Sequence, residues 1–511
     1  MRKQTFYSVL LAILLLHSVG AKSQNTFSRI FPVDTLPDGQ SGMCMNLLDD
    51  GYLITGSYGD ADAALYKTDF QGRLIWKKKY SFEISSSNGE MTLVRNGKIY
   101  TFGPQYIDSV GVAGTYIACL DLNGNILWTK TYRKTKFEEY AQAVVDDGKN
   151  FLVCSFRINI DTPRKQELLV YKMDTLGNVL QETSISQLAK GYKFWTNARF
   201  RDNKYYLSYG YNSFGNSGST SFQDAGTVIL DSSLNILKKK IFLSRGTNEE
   251  GFACFLPLKN KRSLYVWLKD TARGTVPIVV MSPVNTVLYF LDSNNVEEKR
   301  IALFDFCPKT LYNIKELANG DIVGIGNKEL GCWGGTQLGD KGWVFRMSQT
   351  GQIKWERFIQ DSIFGYYPIF YDFEEDKQGN IIISGGIIRH NMTHMSVWLV
   401  KLDSNGCLHP RCDSSEIRVS SPFIENTESK VKIYPNPAYT QLNIDYEPIG
   451  NETEADIQIV DLLGKAIWQR KMSLQTRPLS INVSDLPSGM YNVIFSVVGQ
   501  RQTVQKMVIL R

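Results

Sequence analysis

Hydrophobic and polar positions repeat along this chain in a long, regular unit. Residues 64–80 show it most clearly, as an apolar strand, a polar turn from Asp69 to Gly72, and a second strand ending at Tyr80. The unit returns six times, and its later turns open at Asp121, Asp174, Asp231, Asp292, Ser348 and Asp403. Successive turns are 52, 53, 57, 61, 56 and 55 residues apart. A nearly fixed period of this size indicates a repeat architecture.

Each repeat also has an earlier half with the same β-type alternation. A polar turn, such as Asp50-Gly51 or Asn96-Gly97, separates two short β-prone runs. Gly and Asn supply the positive φ angles that tight hairpin turns require. No part of the repeats shows a helical period, so each repeat reads as four antiparallel strands. Seven such repeats predict an all-β fold, a seven-bladed β-propeller.

A turn signature, Asp-x-x-Gly-x-x-x-Trp, recurs in this pattern. Trp76, Trp128 and Trp355 each stand four residues after the turn glycine, where large rings suit packing between neighbouring blades. The fourth and fifth repeats lack both the Gly and the Trp. The signature resembles that of quinoprotein-like and related propeller repeats. This resemblance implies the fold but no cofactor, and we expect none.

The seventh repeat lacks its outermost strand. After its turn the chain continues as Cys407-Leu-His-Pro410, and proline cannot serve inside a paired strand. The segment Phe27–Asp34 resembles Ile353–Ile359 in pattern. We therefore expect the N-terminal segment to supply the missing strand and to close the ring, which removes an open sheet edge. The predicted propeller covers residues 24–413.

The first 23 residues have the pattern of a secretory signal peptide. Arg2 and Lys3 precede an apolar run over residues 9–16, and small residues at 19–21 offer a cleavage site. No other segment has 18 consecutive apolar residues, so we expect no transmembrane helix. A net charge of +6 over 511 residues is too small to indicate a nucleic-acid partner.

The composition changes after the last repeat. Residues 414–430 are rich in Ser, Glu and Asn and are predicted to be a linker, and residues 431–511 show the short strands of a small Ig-like β-sandwich. This segment resembles the type A C-terminal sorting domain of the type IX secretion system of Bacteroidetes. The resemblance rests on motifs that include Tyr434, Pro435, Asn436, Pro437, Gly464, Gly489, Tyr491 and Lys506. It implies a partner in the type IX machinery, passage through the periplasm, removal of the domain, and release or surface attachment of the protein.

Eight cysteines in an exported chain permit disulfides. Cys407 and Cys412 are five residues apart and are the predicted pair, with Cys307 and Cys332 as a second candidate pair. The other four lie in apolar strand patterns, where we expect buried thiols.

Loop length suggests where a ligand binds. Connections between the second and third strands, and between blades, are long and variable, whereas the other turns are tight. Function concentrates on variable loops held by a rigid scaffold, so we expect a glycan or a protein to bind at the long-loop face. The candidate ligand-binding residues there are Tyr106, Tyr211, Phe214, Phe222, Trp333, Tyr366 and Tyr367.

The chain shows no nucleophile elbow, zinc-protease motif or phosphate-binding glycine loop. His390 and His394 lie in a predicted strand connection, and we expect no metal site. The leading hypothesis is therefore a non-catalytic binding module. The alternative is an extracellular polysaccharide lyase or glycoside hydrolase that uses converging carboxylates, for which Glu138, Glu139, Glu249 and Glu250 are the candidates.

Overall fold

The computed structural model of the chain describes most of both predicted domains. The residues described are 26–31, 40–58, 62–80, 91–106, 113–133, 136–159, 166–188, 192–214, 221–242, 253–270, 284–303, 307, 309–328, 340–361, 366–388, 395–408, 414–419, 431–446, 454–461, 466–473, 478–497 and 503–510. These residues form β-strands and turns and contain no helix. They fall into two compact units, residues 1–421 and residues 422–511. The predicted signal peptide lies outside the described residues.

The first unit is built from four-stranded antiparallel blades, and a parallel bridge between Asn285 and Lys309 joins blades five and six into one larger sheet. Blades one to six each use consecutive strands, whereas blade seven takes its outer strand from the N-terminal segment. Blade one contains β2 (Gln40–Leu47), β3 (Tyr52–Tyr58), β4 (Asp62–Thr68) and β5 (Leu74–Tyr80). Blade two contains β6 (Thr92–Arg95), β7 (Lys98–Tyr106), β8 (Ala113–Asp121) and β9 (Ile126–Tyr132). Blade three contains β10 (Phe137–Asp146), β11 (Phe151–Asn159), β12 (Gln166–Met173) and β13 (Val179–Leu188). Blade four contains β14 (Tyr192–Arg201), β15 (Lys204–Phe214), β16 (Ser221–Asp231) and β17 (Ile236–Phe242).

The remaining blades follow the same order. Blade five contains β18 (Ala253–Pro257), β19 (Ser263–Asp270), β20 (Val284–Leu291) and β21 (Glu297–Leu303). Blade six contains β22 (Lys309–Glu316), β23 (Ile322–Lys328), β24 (Lys341–Met347) and β25 (Ile353–Asp361). Blade seven contains β26 (Tyr366–Glu375), β27 (Ile381–Ile388), β28 (Met395–Leu402) and β1 (Phe27–Phe31). The first strand of each blade lies against the first strand of the next, and β26 lies against β2, so the blades form a closed ring. The all-β propeller fold is thus confirmed.

The ring is closed by its N-terminal strand. β1 pairs antiparallel with β28 from Phe27 opposite Lys401 to Phe31 opposite Val397. Trp398 Nε1 donates a hydrogen bond of 2.8 Å to Ser28 Oγ, and Ile30 is fully buried. Blade seven therefore joins the two ends of the propeller sequence, which protects it from an open edge.

The repeated turn holds neighbouring blades together. In blade two, Asp121 Oδ1 accepts hydrogen bonds from the backbone N–H of Asn123 (2.9 Å) and Asn125 (2.8 Å). Gly124 follows with φ of +74°, a conformation that glycine adopts without strain. A Cβ added to Gly124 would stand only 3.0 Å from Trp76 Cη2 of blade one, so the indole covers this turn.

The same contact joins other neighbours. Trp128 covers Gly177, Trp355 covers Gly406, and Phe27 of β1 covers Gly72 of blade one. Phe27 therefore takes the place of the missing tryptophan in blade seven. In blades four and five, Leu234 and Asn295 adopt positive φ angles of 62° where the other turns have glycine.

The core lies between adjacent blades. One buried cluster combines Leu65 of blade one, Ile117 of blade two and Val153 of blade three. A second joins blades three and four, with Leu207 among its members. Each sheet therefore buries both faces, which explains the nearly continuous apolar runs of strands such as β27 and β28.

The predicted linker contains a strand. β29 (Glu416–Val419) pairs in parallel with β25, from Glu416 opposite Phe358 to Val419 opposite Asp361. Phe358 N donates to Ser415 O at 2.8 Å, and Ile417 is buried. The structure thus differs from the expected linker over residues 414–430, because the last four residues of β25, Phe358–Asp361, include no lysine that would block pairing, and they accept another strand.

The predicted Cys407–Cys412 disulfide is wrong, because Cys407 carries a thiol. The turn that opens at Asp403 holds Cys407 in place through its own hydrogen bonds. Cys407 N donates to Asp403 Oδ1 at 2.8 Å, and the Cys407 thiol donates to Asn405 O at 3.8 Å. Cys307 is disulfide-bonded, and its partner lies outside the described residues. The four cysteines expected to be buried thiols, Cys44, Cys119, Cys154 and Cys254, are buried and not in disulfides.

The second unit is a β-sandwich of two sheets. One contains β30 (Val431–Tyr434), β31 (Gln441–Tyr446) and β34 (Leu479–Asn482). The other has the order β33 (Ala466–Ser473), β32 (Glu454–Val460), β35 (Gly489–Val497) and β36 (Thr503–Ile509). Alternate residues of both sheets, such as Leu442, Ile457 and Val493, form a common buried core.

Candidate functional site

The two edges of the ring differ in loop length. Connections from first to second and from third to fourth strands take two to five residues, as at 96–97 and 376–380. Connections from second to third strands take three residues in blade one and thirteen in blade five, residues 271–283. We call the edge with the tight turns the turn edge. The edge with the long connections is the long-loop edge, which is the long-loop face of the sequence analysis. The difference is the one expected from the sequence, and it makes the long-loop edge the more variable surface.

The candidate aromatic residues belong to this edge, mostly as strand residues. Tyr106 ends β7, Tyr211 and Phe214 lie in the last part of β15, Phe222 is second in β16, and Tyr366 and Tyr367 begin β26. β15 and β16 continue in register to Phe214 opposite Ser221, so Tyr211, Phe214 and Phe222 belong to paired strands and not to the connection between them. The structure describes only the backbone positions of these residues, and Trp333 lies outside the described residues.

The best-defined polar group with members at the long-loop edge lies in blade three, and it extends along the blade towards the turn edge. We call Glu139, Arg157, Tyr171 and Glu182 the blade-three cluster, with one residue from each strand of the blade. Arg157 Nε donates to Glu139 Oε1 at 2.7 Å and Nη1 to Glu182 Oε1 at 3.0 Å. Arg157 Nη2 also donates to Tyr171 OH at 3.1 Å, while Tyr171 donates to Glu139 Oε2.

Burial and charge determine the protonation of this cluster. The side chains of Arg157 and Glu139 are only 6% and 2% exposed. Burial acts to lower the pKa of Arg157, but the contacts with Glu182, Tyr171 and Glu139 raise it above its usual value. Burial and the charge of Glu139 both raise the pKa of Tyr171. Arg157 is therefore charged and Tyr171 protonated at neutral pH.

The cluster does not have the properties of a hydrolytic carboxylate pair. Each oxygen of Glu139 accepts a hydrogen bond, one from Arg157 and one from Tyr171. A glycosidase needs one carboxylate free for attack and a second carboxyl kept protonated. Glu138 accepts a long hydrogen bond of 3.4 Å from Tyr140, and Glu249 and Glu250 lie outside the described residues.

A groove at the turn edge was not anticipated from the sequence. It lies between blades six and seven, has a volume of about 730 Å³, and includes Asp321, Arg346, Lys354 and Trp355 in its lining. Asp321 accepts from Arg346 Nε at 2.8 Å and forms an ion pair of 2.7 Å with Lys354. Burial opposes ionisation of Asp321, yet these two cations lower its pKa. The charged side chains of Asp321, Arg346 and Lys354 thus pair with one another inside the groove. Only the tertiary structure brings the turns that line the groove together.

Within the described ranges, no group of three or more His, Cys, Asp or Glu side chains is arranged to hold a metal ion. His390 and His394 lie outside those ranges. No helix among the described residues is long and apolar enough to cross a membrane.

In the second unit, the motif at 434–437 closes the edge of the last strand. Asn436 Nδ2 donates to Lys506 O and Val508 N donates to Asn436 Oδ1, both at 2.8 Å. Tyr491 is buried in β35 and donates to Pro487 O at 2.9 Å, which joins it to the preceding turn. Gly489 begins β35 without any steric need for glycine, and Gly464 lies outside the described residues.

The comparisons with known proteins agree with this division. Residues 432–510 match a family model described as a secretion system C-terminal sorting domain. Among curated proteins, none matches the sequence of this chain.

Solved structures with a related fold are distant. A protein of unknown function from Bacteroides caccae is 15% identical, with 60% of this chain and 93% of that chain covered and a TM-score of 0.35. An α-L-arabinanase from Penicillium chrysogenum, complexed with arabinobiose, is 11% identical over 74% and 98%, with a TM-score of 0.39. The β-propeller domain of the Trilobed protease from Pyrococcus furiosus is 10% identical over 73% and 99%, with a TM-score of 0.36. At these TM-scores the likenesses carry no argument about the site.

The sorting-domain match over residues 432–510 supports secreted cargo as the class of this chain. It implies export by the type IX machinery and a location outside the cell or at its surface. The sorting-domain match therefore supports the type IX machinery as the partner and export as the route, both of which were expected from the sequence.

Proposed function

We propose that the propeller is a non-catalytic binding module that the C-terminal sorting domain delivers through the type IX system to the outside of the cell. Its ligand is a glycan or a protein held at the long-loop edge by Tyr106, Tyr211, Phe214, Phe222, Trp333, Tyr366 and Tyr367. Aromatic side chains at such an edge offer flat apolar surfaces with polar rims, which suit sugars and protein loops alike.

The observation that supports binding over catalysis is the state of the blade-three cluster. Glu139 is the candidate carboxylate whose surroundings are best defined, and it is buried and hydrogen-bonded to Arg157 and Tyr171. A carboxylate in this environment stabilises the blade, whereas general acid or nucleophilic chemistry requires an accessible group.

Two finer features belong to the same proposal. We assign residues 24–413 to the blades of the propeller, to which β29 (Glu416–Val419) adds one further strand, and residues 431–511 to the sorting domain, with removal of the latter after export. The quinoprotein-like blade signature describes the repeat type only, and the proposal includes no cofactor.

The binding test uses the full chain and its variant Tyr106→Ala/Tyr211→Ala/Tyr366→Ala. Wild type and variant are applied to a glycan array and to a panel of purified surface proteins of the native host. We expect the triple variant to lose binding. The matched control is Leu176→Ala, since Leu176 is 62% exposed on the turn edge of blade three and should leave binding unchanged.

Two results would contradict the binding proposal. One is equal binding by the wild type and the triple variant. The other is turnover of any member of a polysaccharide panel by the wild type, because that result would favour the enzyme alternative.

A further inference from the structure

The last two strands of the sorting domain present apolar side chains to solvent. Their outward positions are Met490, Asn492 and Ile494 on β35 and Val504, Lys506 and Val508 on β36. In register, Met490 faces Val508, Asn492 faces Lys506, and Ile494 faces Val504. Met490 is 58% and Val504 56% exposed. We call these six residues the β35–β36 face.

The other sheet of the sandwich has a different outer surface. Its outward positions carry Lys432, Tyr434, Gln441, Asn443, Asp445, Ser480 and Asn482. This is the polar outer face that a sandwich strand usually shows to water. The domain core is already built from the inward residues of β35 and β36, such as Tyr491, Val493 and Met507. The outward apolar residues are therefore not needed for the core. They form two exposed pairs, Met490 with Val508 and Ile494 with Val504, on either side of the polar pair Asn492 and Lys506, and apolar side chains grouped in this way on a surface mark an interaction site.

Strand addition from Lys506 onwards cannot explain this surface, because that part of the outer edge of β36 is occupied. Asn436 fills the hydrogen-bonding positions beside Lys506 and Val508. Ala438 N then donates to Val508 O at 2.8 Å, and Leu510 N donates to Ala438 O at 3.1 Å. A partner that recognises this part of β36 must therefore contact its face.

We propose that the β35–β36 face docks on a component of the export machinery whose contact surface is apolar around a carboxylate that pairs with Lys506. The inference rests on the proposed export function and names the surface that performs it. The match of residues 432–510 to a sorting domain indicates what kind of partner such a patch serves. A second copy fits less well, since a symmetric contact centred on this face would bring Lys506 against its own counterpart.

The test measures export of full-length variants in the native host. Met490→Ser/Val504→Ser removes the apolar contacts, and the amount of protein outside the cell should fall by about tenfold or more, as for truncation of interface anchors. Ile467→Ser is the matched control, because Ile467 is 41% exposed on β33, at the far side of the same sheet. Both variants should keep the wild-type unfolding temperature.

A second variant covers the case in which the double variant fails to fold. Lys506→Glu reverses an exposed charge and should also reduce export while leaving the unfolding temperature unchanged. Wild-type export of Lys506→Glu, or of a folded Met490→Ser/Val504→Ser, would overturn the docking inference. So would a wild-type dimer that the double variant abolishes without any loss of export.

A deletion separates this inference from the function on which it rests. Removal of residues 432–511 should abolish export altogether. If the deletion abolishes export and the face variants do not reduce it, the docking surface is wrong and the export function stands. If the deletion variant is exported normally, the proposed export function itself is wrong.

Discussion

At the scale of single residues, the turn glycines combine two requirements. Gly124 needs a positive φ of 74°, and it must also leave room for the side chains of Trp76 and Tyr80. Tyr80 OH donates to Gly124 O at 2.7 Å, so one turn serves both as a hairpin and as the contact with the neighbouring blade. Gly97 has a similar φ of 69° but no atom within 4 Å of an added Cβ.

These two glycines provide a matched test. Gly97→Ala should destabilise the protein by about 1 kcal/mol, the cost of a left-handed backbone for an L-residue. Gly124→Ala should cost about 1 kcal/mol more, because its Cβ would stand 2.7 Å from Tyr80 OH. Chemical denaturation of both variants measures the difference. Equal losses of stability in the two variants would show that the contact of Gly124 with blade one contributes nothing to the free energy of unfolding.

The Asp376–Lys401 ion pair should make stability depend on pH. Lys401 Nζ lies 2.8 Å from Asp376 Oδ2, and both side chains are buried. Burial alone would raise the pKa of Asp376, but Lys401 and Asn380 lower it below its usual value. The unfolded state therefore takes up this proton first, and the stabilisation is present above about pH 4 and is lost as the pH falls through the lower, folded-state pKa.

Asp376→Asn should consequently lower the unfolding temperature at pH 7, and the gap to wild type should narrow below about pH 4. Thermal unfolding at a series of pH values gives both quantities. The control is Glu298→Gln, since the side chains of Glu298 and its partner Arg262 are 37% and 44% exposed and a surface pair of this kind contributes little. A gap that stays constant down to pH 2 would contradict the assignment.

At the scale of elements, β1 is the strand on which ring closure depends. It adds the outer strand to blade seven from the opposite end of the propeller sequence, and its residue Ile30 is fully buried. The corresponding outer strand of blade four, β17, carries Ile236 with 46% of its surface exposed. The two isoleucines thus occupy equivalent strands with opposite burial.

We expect Ile30→Ala to destabilise the protein by about 2–4 kcal/mol, the usual cost of emptying a core position. Ile236→Ala should change stability by no more than about 0.5 kcal/mol. Urea unfolding of both variants tests this directly. Similar small losses in the two variants would mean that the burial of Ile30 contributes little to closing the ring.

At the scale of the whole molecule, the ring and the sandwich have separate cores. The boundary between the compact units falls after Ser421, so β29 belongs to the propeller unit. A chain that ends at Ser421 should therefore fold with β25 covered. A chain that ends at Asp413 should also fold, because β1 and β28 still close the ring, but it exposes the edge of β25.

Hydrogen exchange distinguishes these two chains. Amide protons over Phe358–Asp361 should exchange faster in the chain that ends at Asp413, and this chain should self-associate more readily through its open edge. Protection elsewhere in the propeller should be alike. An unfolded chain that ends at Ser421 would show that the propeller depends on the sorting domain, whereas unfolding only of the chain that ends at Asp413 would show that it depends on β29.

The sequence by itself determined the features that local chemistry controls. Hairpins are specified by residues a few positions apart, so the turns at Asp69, Asp121 and their equivalents, the strand alternation and the repeat period were all predictable. The sorting domain was likewise recognisable from its motifs. Only the tertiary structure decided which distant segments meet: β29 on β25, the charged partners of Glu139, the groove of blades six and seven, and the thiol at Cys407. These contacts depend on the geometry of the closed ring, which brings together side chains from different strands and blades, and no local pattern encodes that arrangement.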